Sequence, residues 1–179
     1  GNLDGLYSSG RDPIPELDPE VLLGRHRALN TTGIQQALLN MFRIEQVARL
    51  GSDHIVFPPM GRAAVAALVA KEAVSVAERL AQVAGLPVSI TTHVLDRIQR
   101  EAAIAVLGAR PLVAAVVRVI PSLYAQVIAQ LGSSIPDHCT LDLVDGQVIA
   151  RLEEKGHTVV LILHWPLPAR TVEDARTLE

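Results

Sequence analysis

The sequence predicts an α+β fold, a helical bundle with a short three- to four-stranded sheet, and three observations carry that expectation. From Gly61 to Ala84, polar residues recur every three or four positions in an otherwise apolar run, as a long amphipathic helix requires. From Leu141 to Leu152, apolar and polar residues alternate across Asp145-Gly146, a two-residue hairpin signal. Between them, Leu107-Gly108-Ala109-Arg110-Pro111-Leu112 stops one helical pattern and opens the next.

The first thirty or so residues are rich in Gly, Pro, Asp and Ser, and Pro13, Pro15 and Pro19 stand too close together for a helix. Irregular surface chain is expected there. A helix is predicted from about Thr32 to Gln46, capped by Thr31 or Thr32, with Ile34, Leu38, Leu39 and Phe42 on one side. After Leu50-Gly51, His54-Ile55-Val56-Phe57 reads as a buried strand that Pro58-Pro59 ends.

In the long helix, Lys71, Glu72, Ser75, Glu78, Arg79 and Gln82 take one side, leaving Val65, Leu68, Val69, Val76, Leu80 and Val83 for the core. Gly85 ends it, Pro87 to Ile90 is a short extended piece, and Thr91 or Thr92 caps a helix running to about Val106 with Leu95 and Ile98 inward. Gly108 can close that helix in a left-handed conformation, and Pro111 suits the first position of the next. From there to Ile120 only Arg118 is polar, so near-complete burial is expected. Pro121 should break or kink the chain before a further helix from Ser122 to Leu131. A β meander follows: the hairpin at Asp145-Gly146, a second turn at Lys155-Gly156, and a last strand from Thr158 to Trp165 stopped by Pro166 and Pro168. The tail from Ala169 is polar.

With 179 residues, 49% of them hydrophobic, the chain can bury one core and part of a second. A net charge of -3 excludes a binder that relies on general phosphate attraction, and 3% aromatics excludes a base-stacking platform. No nucleic-acid partner is expected. The single cysteine, Cys139, allows no intrachain disulfide and fits a reducing, cytoplasmic setting. No segment reads as a signal peptide. Apolar runs such as Leu112 to Val117 are too short for a bilayer core of about 30 Å, so no membrane partner is expected either. The six histidines lack ligand spacing, which predicts no metal site. Cys139 reads as a small buried residue entering a strand, and Arg97, Arg100 and Glu101 as a solvated helix face.

Arg110 is the first candidate for function. A cation at a helix start is disfavoured by the helix dipole, so its guanidinium is expected to reach outward to an anion or a carboxylate. A local pair with Glu101 is the alternative.

The order of elements around Gly108-Ala109-Arg110-Pro111-Leu112 resembles the C-terminal small domain of Clp-type AAA+ ATPases, the ClpB-like unfoldases. The pentapeptide reproduces that family's sensor-2 signature, which implies that Gly108, Ala109 and Arg110 contact nucleotide phosphates. Phe42 to Leu50, followed by His54 to Phe57, is similar to the family's Phe-Arg-Pro-Glu-Phe-Leu-Asn-Arg-Ile before Val-Val-Phe, with Ile44 in place of the proline and Ala48 in place of the asparagine. By that correspondence Arg49 would be an arginine finger. The resemblance implies that residues 1–57 are the end of an α/β ATPase core, 58–165 the small domain and 166–179 a tail. It further implies ATP or ADP with Mg²⁺ in the full-length protein, neighbouring subunits of a homo-oligomeric, hexameric ring, and protein substrates. Neither lysine follows a glycine in a Gly-x-x-x-x-Gly-Lys-[Ser/Thr] pattern, so this chain alone is not expected to hydrolyse ATP. Two alternatives remain: a ClpV-like motor that recycles contractile secretion sheaths, and an assembly domain that works without nucleotide.

Overall fold

The computed structural model describes residues 19–51, 55–102, 109–132 and 134–166. Its centre is α4 (Arg62–Ala84), the amphipathic helix read from the sequence. Val65, Val69, Ala73, Val76 and Ala77 are its buried residues, spaced three or four apart as one helix face requires. Gly85 closes it at φ 75°, where a side chain would be strained, and its N–H returns to the Ala81 carbonyl. Val83 does not face the core. It is 88% exposed, while Leu80 and Ala84 on the same turns pack against the core, so Val83 lies on the outer face of α4.

Next come β1 (Val88–Ile90), α5 (Thr92–Ala102) and α6 (Ala109–Gln130), followed by β2 (His138–Val144), β3 (Gln147–Glu154) and β4 (His157–Leu163). The three-stranded meander is present. Asp145-Gly146 and Lys155-Gly156 both take positive φ at both positions, the twist that joins adjacent antiparallel strands. β1 adds parallel to β2, pairing Val88 with Cys139 and Ile90 with Leu141, so the sheet has four strands in the order β1-β2-β3-β4. Its inner face, with Cys139, Leu141, Val148, Ala150, Leu152 and Leu163, packs against α4, α5 and α6 in one cluster. Burial pushes the Cys139 thiol up to about 11, which leaves it protonated and inert at neutral pH. Tyr124 lies in the same cluster and donates to the Leu86 carbonyl at 2.8 Å. Desolvation raises its pKa, partly opposed by that bond.

Several expectations change. Pro121 lies inside α6, which runs unbroken for 22 residues instead of forming two helices. Its missing N–H frees only the Val117 carbonyl, on the exposed side of the helix, while Val119, Ile120, Leu123 and Tyr124 are buried around it. Tertiary packing therefore outweighs a local cost of about 3 kcal/mol. Unbroken, α6 is long and apolar enough to cross a membrane by length and composition, with a mean hydropathy of 1.8 over its best window. Its packing is that of a core helix, against α4, α5 and β4. Burial is not complete on all sides, since Val117 is exposed.

Before α4, the chain forms α1 (Pro19–Arg27), α2 (Thr31–Leu39) and α3 (Ile44–Leu50). Pro19 opens α1 at a position where its missing N–H is harmless, so the stretch from 19 to 27 is helical, not irregular. The helix expected from Thr32 to Gln46 is two helices. Asn30, not a threonine, caps the first by accepting from Gly33 N–H at 2.8 Å, and the Arg43 N–H donates to the Gln46 side chain at the start of the second. Residues 55–57 form no strand; Ile55 and Phe57 are 87% and 84% exposed. A strand needs a partner edge, and none lies beside them among the described residues. His54, Gly108 and the tail from Ala169 lie outside the described residues.

Candidate functional site

Arg110 is exposed in the first turn of α6, with Ala109 half-buried before it and Leu112 buried after it. Leu112 anchors the turn in the core and so fixes where the arginine backbone stands. Pro111 is the third residue of the described helix, not its first. The reason it is tolerated is the one expected, because no N–H in a first turn has an intrahelical acceptor.

The alternative partner for Arg110 is engaged elsewhere. Glu101 accepts from Arg97 Nε at 3.1 Å and from Trp165 Nε1 at 2.7 Å, and the Arg97 guanidinium lies 4.2 Å from the centre of the Trp165 ring. Arg97 NH1 also reaches the Gly146 carbonyl at 3.4 Å. The α5 face expected to be merely solvated therefore ties the chain after β4 to α5. Among the described residues Arg110 pairs with no carboxylate. Arg49, in the last turn of α3, is also exposed and forms no ion pair among them; it shares a shallow depression with Arg43, Glu45 and Gln46. α3 packs on α2, whereas α6 packs on α4 and α5, so the two arginines stand on elements with different neighbours.

A polar cluster that the sequence did not announce centres on Asp142. This residue is 6% exposed, the one buried charged side chain among the described residues. It accepts from Thr91 Oγ1 at 2.7 Å, Arg151 NH1 at 2.6 Å and its neighbour Leu143 N–H at 2.8 Å, with His93 Nδ1 at 3.2 Å. The Thr91 hydroxyl foremost, then Arg151, His93 and the Leu143 N–H, holds the carboxyl well below the usual range against the opposing effect of burial. The arrangement fastens the start of α5 to β2 and β3. Alternation with Leu141 and Leu143 puts Asp142 on the opposite side of β2 from Leu141, yet it is buried. The available signal was an aspartate inside a strand, where that residue is depleted, with an arginine diagonally across the hairpin. A second polar contact, His138 Nε2 to Ser89 Oγ at 2.9 Å, joins β2 to β1.

Residues 60–139 match the family model described as the C-terminal, D2-small domain, of ClpB protein. This segment is similar to the C-terminal small domain of ClpB-like AAA+ proteins. The match opens just before α4 and ends in β2, so the matched segment contains Gly108, Ala109 and Arg110, while Arg49 lies upstream of it. The observed mixture of helices with one four-stranded sheet is the α+β architecture anticipated for it. A comparison with curated proteins finds no match.

Proposed function

We propose that the chain is the C-terminal part of a ClpB-like AAA+ ATPase, in which the small domain couples nucleotide binding to ring assembly and to remodelling of protein substrates. The observation that carries this reading is Arg110, exposed at the start of α6 within the matched domain and unpaired with any carboxylate among the described residues. Phosphoryl transfer gathers negative charge on the γ-phosphate, and a guanidinium supplies a planar set of donors suited to it. In this reading Arg110, with Gly108 and Ala109, senses ATP or ADP held with Mg²⁺ by the preceding ATPase core. Leu112, buried in the domain, would carry the change in Arg110 to α4 and the sheet.

Arg49 would act as an arginine finger toward the neighbouring subunit of a homo-oligomeric ring, working in the cytoplasm. Its exposure and its lack of an ion pair among the described residues support a role in trans. The exposed Met41, Phe42, Ile44, Leu50, Ile55 and Phe57 support a further apolar body against this stretch, as an ATPase core would supply.

The test is made in the full-length ATPase. Arg110→Ala should weaken the nucleotide response of each subunit, with Arg110→Lys recovering only part of it. Arg49→Ala should lower turnover by about 10³-fold or less and be complemented by subunits defective in their own nucleotide site. Unchanged turnover in both variants would leave an assembly domain that works without nucleotide.

A further inference from the structure

We infer that the groove between α4 and the free edge of β1 docks an extended polypeptide segment from a partner protein, which adds as a strand beside β1 and carries a basic residue opposite Glu78. This inference does not depend on the nucleotide reading above. The groove, about 440 Å³, is walled on the helix side by Ala70, Val74, Ala77 and Ala81 and on the sheet side by Val88 to Ile90.

Three independent features define the occupant. Among the described residues the strand order leaves β1 with a neighbour on one side only. Cys139 N–H donates to the Pro87 carbonyl at 2.9 Å and Thr91 N–H to the Leu141 carbonyl at 3.0 Å, so residues 87, 89 and 91 turn their backbone groups toward β2. Alternation then turns those of Val88 and Ile90 to the open side, where they make no backbone bond among the described residues. A segment in extended conformation supplies the matching donors and acceptors. The helix wall is mostly alanine, which leaves depth for aliphatic side chains at alternate positions of that segment. Glu78 is exposed on the lip and is the one titratable residue lining the groove, so it calls for one cation. The same edge of a second copy would bring Val88, Ser89 and Ile90, none of them charged, and would leave Glu78 unanswered.

The probe is an end-blocked, fluorescein-labelled hexapeptide of alternating valine and threonine with one lysine, titrated by anisotropy against the 179-residue chain. Saturable binding with a Kd below about 1 mM is expected, together with slowed exchange of the Val88 and Ile90 amides. Glu78→Lys, an exposed change that leaves the core intact, should weaken binding about two- to fivefold, and replacing the peptide's lysine with glutamate should restore it. Methylating the peptide amides on the side facing β1 should abolish binding. Absence of saturation at 1 mM, or binding that leaves Val88 and Ile90 exchange unaltered, overturns the inference. A concentration-dependent dimer that Glu78→Lys dissociates would assign the groove to a second copy and overturn it as well.

Discussion

Beyond Met60, the large apolar side chains of three helices and a sheet meet in one cluster that fully buries Leu86, Ile98, Ile120, Leu123 and Leu163. Before it, Met41, Phe42, Ile44, Leu50, Ile55 and Phe57 lie open although the local chain is well formed, with Asn30 capping α2 and Gln46 answering the start of α3. Capping and helix period are local, so both regions satisfy them. Burial of an apolar stripe needs a second surface: among the described residues the later region buries a large cluster, whereas the earlier one buries only Leu22, Ala37 and Leu38. The difference separates what a segment can do alone from what it does with a partner.

The largest expected effect sharpens that contrast. Leu123→Ala, at full burial in α6, should cost about 2–5 kcal/mol in urea unfolding, whereas Phe57→Ser should cost less than about 0.5 kcal/mol. Equal costs would mean that the earlier region shares the core. Asp142→Asn comes next, at about 1–3 kcal/mol near neutral pH, because Arg151 and Thr91 lose a charged acceptor in a nearly buried place. The sign of its pH dependence follows from the depressed folded-state pKa. Stabilisation by Asp142 is present above the usual value near 3.8 and is lost as pH falls below it toward the folded-state value. The parent chain should therefore lose stability on acidification faster than the Asn variant, measured by thermal unfolding between neutral pH and about pH 3.

Tyr124→Phe should cost about 1–2 kcal/mol, since it strips the Leu86 carbonyl of its donor inside the core. A smaller effect tests the junction between the two regions. Glu20 Oε1 accepts from Arg62 N–H at 2.8 Å and so caps α4 from α1. A Cβ at Gly61 would fall 2.8 Å from that oxygen and 3.1 Å from Leu23 Cδ2. Both are the far ends of flexible side chains that can move, so Gly61→Ala should cost under about 1 kcal/mol while speeding amide exchange in α1. No change in α1 exchange would show that the cap does not hold it.

The legible parts of the fold were those with local or periodic causes. The stripe of α4, the left-handed stop at Gly85 and the two Gly turns of the meander each follow from a few adjacent residues. Three parts were not legible. Pro121 in α6 reads as a break until its surroundings are known, because long-range packing outweighs its local cost. The strand expected at His54 to Phe57 had the right composition, and its described residues, 55–57, have no described partner. Parallel addition of β1 to β2 joins Val88 to Cys139 across 51 positions, which no short window contains. At the site, the motif led to Arg110 and its helix start, but the cluster at Asp142 depends on Thr91, just before α5, and His93, in its first turn, meeting the sheet.

The most direct test is amide hydrogen exchange of the 179-residue chain, read segment by segment. The account predicts strong protection through α4, α6 and the β2–β4 meander, and fast exchange from Leu39 to Phe57. Protection of Leu39 to Phe57 equal to that of α4 would contradict it, because that stretch would then own a core instead of awaiting one.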